Sequence, residues 1–373
     1  MRAVKDAQAF GFSPAEIEGF LRGARDEDAV RERFAARARE VDEQIASLAA
    51  TRDELARRAL GVEQRLVTGA GPLHVTNGDS AAMSLERCSF GGDTLPWRDA
   101  YHDGPVPAGS RDRMLRHRAV FLAAAGFGTD EANLHGLLAR DESFVSALRE
   151  GRPIVLWFEH DLYDQLQLVD VLALAGDVGF EEGALELIEV DAFLGTLDEA
   201  ALEALWPRRR AVTEDDTVAA QAAWAAVRSS DPRGLLALAT SPPASRPFLG
   251  AAARRFLQEL PWVGDGLSRT ERQLLSLLAD GPMLSGALFV ASQALEEAAF
   301  HGDSWIFRTL EQLAPLVEVG EGYAEITDDG HAVLSGSADR VEFGLDRFVG
   351  GTHLEAGSEW RWDDVASVLV APA

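Results

Sequence analysis

Apolar positions along this chain change their spacing most sharply over residues 153–175, PIVLWFEHDLYDQLQLVDVLALA. Pro153 to Phe158 form an unbroken run that suits a buried strand. From Leu162 the apolar residues Leu162, Leu166, Val169, Leu172 and Ala173 recur three and four apart, the spacing that lines one face of an α-helix. Between run and stripe stand Glu159, His160 and Asp161. A strand passing directly into a helix through a charged turn is half of a β-α-β unit, and open parallel sheets bind ligands just outside the carboxyl ends of their strands.

The same alternation continues on both sides. Leu73 to Thr76 reads as a strand, Asn77-Gly78-Asp79-Ser80 as a turn, and Ala81 to Cys88 as a helix capped by Asp79 or Ser80. Thr94 to Trp97 is a second strand that runs into the polar turn Arg98 to Pro105. Helices follow over roughly 110–125 and 130–149, and Ala184 to Val190 is a further strand. Strands alternating with helices predict an α/β domain with a mostly parallel sheet over residues 70–195. Residues 196–265 read as a helical connector. From residue 266 a capping box, Ser268-Arg269-Thr270-Glu271, opens one helix, a second covers roughly 284–298 and a third starts near Asp303. Leu316 to Val319, Tyr323 to Thr327 and Asp328 to Leu334 then read strand, strand, helix. This C-terminal part resembles a winged-helix domain.

Residues 1–66 are almost free of strand signals and read as a helical arm. Ser13-Pro14-Ala15-Glu16 is a capping box with proline at the first helical position. Phe34, Val41, Leu48 and Leu55 fall seven apart, a short heptad pattern that predicts a coiled-coil-like homodimer contact through residues 26–60. The segments AVKDAQAFGFSPAEIEGFL and DEQIASLAATRDEL resemble the last helix of a MerR-type regulator's DNA-binding head and its dimerisation helix. The helix-turn-helix that such regulators place upstream has no counterpart here, so the expectation is a dimerisation arm; a start site assigned too far downstream is the alternative.

Charge narrows the partners. The chain carries 61 acidic against 35 basic residues, a formal charge of −26, which argues against a nonspecific nucleic-acid binder or a partner for anionic membranes. Residues 266–373 hold 6 basic and 18 acidic side chains, and phosphate contacts supply most of the affinity of DNA binders, so that part is expected to serve a structural or protein-contact role. Nucleic acid and membrane are not expected as partners; a small-molecule ligand is. The single cysteine, Cys88, excludes internal disulfides and a multi-thiolate zinc site. No long apolar run or cleavable leader stands in the sequence, and a cytoplasmic location is expected.

Three segments end predicted strands with polar groups: Asn77, Gly78, Asp79 and Ser80; the turn holding Asp99 and His102; and Glu159, His160 and Asp161, with Asp164 and Gln165 one helical turn on. On parallel strands all three share one sheet edge. The sign of their charge limits the chemistry, because these carboxylates repel a phosphate unless a cation lies between. Two readings stay open. Either His102, His160 and carboxylates such as Asp79 or Asp161 hold a divalent metal that activates water or polarises a substrate, or carboxylates accept hydrogen bonds from ribose hydroxyls or an amine while a histidine serves as general acid or base. Taken singly, Asp79, Ser80 and Asp161 also suit helix caps. The candidate catalytic residues are His102, His160, Asp161 and Glu159, and the candidate ligand-binding residues are Asn77, Gly78, Asp79, Ser80, Asp99, Asp164 and Gln165.

LHVTNGDSAA, WRDAYHDGPVP, IVLWFEHDLYDQLQL and the terminal GLDRFVGGTHL with WRWDD resemble the bacterial family catalogued as domain of unknown function eighteen thirty-five, over about residues 70–363. The resemblance implies an α/β domain with a helical C-terminal part and brings no activity with it. Trp360 and Trp362 lie close to the chain end and need burial, so the segment Asp346 to Asp364 is expected to pack back on the α/β domain, where it could close over the site. The activity expected is small-molecule binding with hydrolase or transferase chemistry on a polar or nucleotide-like metabolite. The alternative is a ligand-sensing regulatory adaptor that dimerises through its arm.

Overall fold

The strand that the unbroken apolar run predicts is central. The computed structural model describes residues 71–357 and 359–372. The capping box at Ser13, the heptads and the dimer contact through residues 26–60 lie outside the described residues. In order come β1 (Leu73–Thr76), α1 (Asp79–Glu86), β2 (Asp93–Pro96), α2 (Arg111–Ala124), α3 (Asp130–Arg149), β3 (Ile154–Phe158), α4 (Leu162–Val178) and β4 (Leu185–Glu189). They build a sheet of order β2-β1-β3-β4, parallel throughout, with a two-residue strand β5 (Arg210–Ala211) added antiparallel to β4.

All five residues of β3 are buried, because helices cover both faces of the sheet; that is why the strand reads as a continuous apolar run without alternation. Val155 and Trp157 pack with Ala81 and Leu85 of α1 and with Leu202 and Leu205 of α5 (Glu199–Leu205). Ile154, Leu156 and Phe158 join the larger core on the opposite face, with Leu166, Val169 and Leu172 of α4.

The stripe on α4 predicts one buried face, yet every residue from Asp164 to Ala175 is buried. The reason is that α6 (Glu214–Val227) and α8 (Leu249–Leu257), separated by α7 (Arg233–Thr240), pack over α4. Four polar residues thus enclosed, Asp164, Gln165, Gln167 and Asp170, all make hydrogen bonds, as burial of polar groups requires. The helix expected after the NGDS turn begins at Asp79 with Gly78 as its N-cap, and neither Asp79 nor Ser80 caps it.

The C-terminal part comprises α9 (Arg269–Leu278), β6 (Met283–Leu284), α10 (Ser285–Gln293), α11 (Asp303–Gln312), β7 (Val317–Val319), β8 (Tyr323–Ile326) and α12 (Asp328–Leu334). Its antiparallel sheet has the order β6-β8-β7, and it has its own core around Leu274, Leu278, Leu310 and Leu313. The Ser268 capping box forms: the hydroxyl accepts from Glu271 N at 3.2 Å and Glu271 accepts from Ser268 N at 2.8 Å. Ser268→Ala is expected to cost about 1 kcal/mol in urea unfolding; no change in midpoint would show that this helix start is held by other contacts.

The terminal segment does pack back. β9 (Asp346–Val349) and β10 (Thr352–Glu355) form a hairpin whose turn meets the body: Val106 N donates to Gly350 O at 2.9 Å and Gly351 N to Val227 O at 2.8 Å. Gly350 has φ +59°, and a Cβ there would lie 2.2 Å from Val227 O, so only glycine fits. Trp362 is 1% exposed, its backbone N–H donates to Pro261 O at 2.8 Å and its indole Nε1 donates to Asp364 Oδ1 at 2.9 Å. These contacts lie on the loop after β2, on the end of α6 and after α8, so the tail braces the body; they do not extend to the strand ends at Glu159. No helix among the described residues is long and apolar enough to cross a membrane.

Candidate functional site

α1 packs on one face of the sheet and α4 on the other, and the strand order runs outward from β1 to β2 on one side and from β3 to β4 on the other, so between the neighbouring strands β1 and β3 the direction of the connections reverses. Such a switch point opens a crevice beyond the carboxyl ends of the two strands. Asn77 follows β1 and Glu159-His160-Asp161 follow β3, which puts both segments at that crevice.

Three carboxylates meet there. Glu159, Asp161 and Asp164 offer oxygens that all lie within 4.8 Å of one another, and all three residues are buried. Asp161 is the N-cap of α4 and accepts from Asp164 N at 3.1 Å. Asp164 accepts from Asn77 Nδ2 at 2.8 Å and from Glu159 N at 2.7 Å, tying the ends of β1 and β3 together. Glu159 accepts from the backbone N–H of Leu194 at 2.8 Å. Gln165 donates from Nε2 to Glu159 O at 2.8 Å and to Glu189 Oε1 at 3.0 Å. None of the three clustered carboxylates makes an ion pair among the described residues.

Burial together with mutual repulsion holds protons on this cluster. Burial and then the Asp161 charge push Glu159 up to about 7, and burial pushes Asp161 up to about 7. Asp164 is pushed well above the usual carboxylate range by burial and then by the charges of Asp161 and Glu159. Three acidic groups this close titrate as a unit. Near neutral pH the cluster is therefore poised between holding a proton and exposing an all-oxygen cage suited to a hard divalent cation.

The other residues singled out from sequence spread out. Gly78 borders the crevice, where an added Cβ would lie 3.9 Å from the Tyr163 hydroxyl. Asp79 is half-exposed and accepts from Arg98 Nε at 3.0 and 3.1 Å, and Ser80 packs against Gly195. Asp99 is fully buried and paired with Arg118 at 2.7 Å, a structural ion pair away from the carboxylates. The His160 ring lies 5.8 Å from both Phe193 and Phe248, and its Nδ1 has no hydrogen-bond partner among the described residues.

His102 belongs to a different cavity. Its ring stands edge-on to Tyr163, Phe300, His301 and Trp305, with centroids 5.2–5.8 Å away. Burial, and then neighbouring His301 and Arg118, hold it well below the usual imidazole range, and burial lowers His301 to about 4. Sequence reasoning missed His301, a lone histidine in a loop, and it missed Glu189 and Arg246. Arg246 is fully buried beside Glu189 and Asp216, 3.6 and 2.9 Å away; no local spacing links residues so far apart in the chain.

No curated protein matches this sequence. A family model described as "MerR, DNA binding" matches residues 1–58, which corrects the expectation that nucleic acid is not a partner. That expectation leaned on the formal charge of −26, and a whole-chain sum does not report a local surface: residues 1–66 carry 12 basic and 13 acidic side chains, close to balance. The N-terminal segment is thus similar to the DNA-binding part of MerR-type regulators, and it precedes an α/β body with a mostly parallel sheet.

Proposed function

We propose that this chain is a regulator-like protein in which the MerR-like N-terminal segment binds DNA and dimerises through residues 26–60, while the α/β body, residues 70–195, senses a polar small ligand at the switch-point crevice. The observation that carries the ligand reading is the set of three buried carboxylates lacking an ion-pair partner among the described residues. Keeping such a set out of water is costly unless something compensates it. The ligand that complements it is a divalent cation, or a metabolite offering an amine or several hydroxyls. A phosphate-bearing metabolite would need a cation between itself and Asp161. The connector, residues 196–265, and the winged-helix-like part, residues 266–373, complete the body, which we take to be cytoplasmic and to represent the α/β family named above.

A second reading keeps the enzyme: Glu159 and Asp161, held near 7, suit general acid–base transfer at neutral pH in a hydrolase or transferase. Turnover of a polar metabolite abolished by Asp161→Asn would favour it.

The regulator reading is tested by selecting random DNA duplexes on the full-length chain, with and without Mg²⁺ or Mn²⁺. Enrichment of a site with dyad symmetry, altered by the cation and absent after deletion of residues 1–58, is the expected result. Failure to enrich any sequence under either condition would remove the DNA-binding half of the proposal.

A further inference from the structure

The cavity that holds His102 is separate from the carboxylate cluster. It lies between the loop after β2, which carries His102, and the loop before α11, which carries His301. Its volume is about 40 Å³, more than the roughly 10–15 Å³ that one water requires. His102 is 6% exposed, and neither of its ring nitrogens has a hydrogen-bond partner. Buried polar groups without partners are rare in native proteins and call for an ion or water. His301 also makes no hydrogen bond among the described residues. The ring centroids of the two histidines are 5.2 Å apart and their planes meet at 88°. Two imidazoles bound to one tetrahedral ion, with metal–nitrogen bonds of about 2.0–2.1 Å, place their centroids roughly 5 Å apart.

Asp103, Glu259 and Glu271 also line the cavity, but each is paired with an arginine, Arg308, Arg255 and Arg340 respectively, so the two imidazoles, and not a surplus of carboxylate charge, select the ligand. Imidazole selects borderline transition metals over Mg²⁺ or Ca²⁺. We propose that His102 and His301 form a binding site for a borderline divalent ion such as Zn²⁺, Ni²⁺ or Co²⁺, with Glu259 or water completing its shell. Among the described residues, a set of three His, Cys, Asp or Glu side chains already within ligand reach of one another occurs only at Glu159, Asp161 and Asp164, so no third protein ligand stands ready beside His102 and His301. An ion held there ties α11 to the α/β body through one coordinate bond on each side. The proposal is independent of the DNA and crevice readings.

The test uses the full-length chain freed of metal by chelation. Zn²⁺ and Ni²⁺ are expected to raise the melting temperature by mass action, and Co²⁺ to develop visible absorption with the intensity of a four-coordinate ion. The Co²⁺ absorption should vanish in His301→Ala and in His102→Phe, which keeps a ring in the packed position, and the Zn²⁺ shift should shrink in both. The four-coordinate Co²⁺ absorption should survive in Asp161→Asn, whose lesion is confined to the crevice. Absence of the four-coordinate Co²⁺ spectrum in the wild type, its persistence in His301→Ala, or its loss in Asp161→Asn would each overturn the assignment, the last by placing the ion at the carboxylate cluster. Should His102→Phe fold poorly, His301→Ala with the Co²⁺ spectrum still decides.

Discussion

Replacing Asp170 by alanine is expected to destabilise the body by about 5 kcal/mol, enough to unfold much of it near physiological temperature, since whole domains are stable by only about 5–15 kcal/mol. Asp170 sits in the middle of α4, is 0% exposed, and accepts hydrogen bonds from Trp97 Nε1 at 2.9 Å, Tyr101 Oη at 2.7 Å and Arg111 Nη1 at 2.6 Å. Removing one carboxylate thus strands the donors of Trp97 and Tyr101 and leaves the partly buried Arg111 guanidinium with Asp141 alone; each stranded donor costs about 1–3 kcal/mol, and the weakened guanidinium pairing adds to that. Burial would raise the Asp170 pKa, but the charge and hydrogen bonds of Arg111 outweigh it and hold the group below its ordinary value. A carboxylate depressed in the folded state contributes stability that is present above its unfolded pKa and lost as pH falls through the folded one. Asp170→Asn, which keeps the shape and loses the charge, should fall between wild type and alanine. Urea unfolding at pH 7 is the measurement; a loss under 2 kcal/mol for alanine would mean that this network is not what holds α2, α4 and the loop after β2 together.

Asp161→Asn is expected to do the opposite to stability and to weaken cation binding at the crevice. The folded-state pKa values of Glu159 and Asp161 are raised to about 7, so between the unfolded carboxyl values near 4 and that point the folded state holds more protons than the unfolded one. The contribution of the cluster is therefore fully present below pH 4 and is lost as pH rises to 7, at about 1.4 kcal/mol per pH unit for each extra proton. Asparagine caps helices as well as aspartate does and removes one of three crowded charges. In chelator the variant should be about 2 kcal/mol more stable than wild type at pH 8 and should show a flatter dependence from pH 5 to 8. Its affinity for Mn²⁺ or Mg²⁺ should fall by roughly 100-fold, since one of three oxygen ligands is neutralised. In the wild type, cation binding should strengthen as pH rises, because the ion displaces protons. A variant less stable than wild type at pH 8 would show that the three carboxylates do not repel, and with that the reason to expect a cation would go.

Much of this was legible in the chain because it depends on local spacing. The run at Pro153 to Phe158 had to be a strand buried on both faces, and the capping box at Ser268 appears where its residues stand. Other features were legible only in part. The stripe on α4 implied one buried face, but it could not show that α6 and α8 would enclose the other and bury Asp164, Gln165 and Asp170. Nor does local spacing pair Arg209 with Glu186 at 2.9 Å or Arg210 with Asp216 at 2.8 Å.

By itself the sequence determined the element types, the mostly parallel sheet, the polar character of its strand ends and the return of the tail, because periodicity, turn chemistry and the need to bury Trp362 act within short stretches. Only the tertiary structure decided which polar residues share a site. It joined Asn77 to Asp164 across 87 positions at the switch point, committed Asp99 to Arg118 and Asp79 to Arg98, and carried His102 away to His301. The physical reason is that strand order and helix packing set those distances, and a side chain's neighbours in space leave no period in the chain.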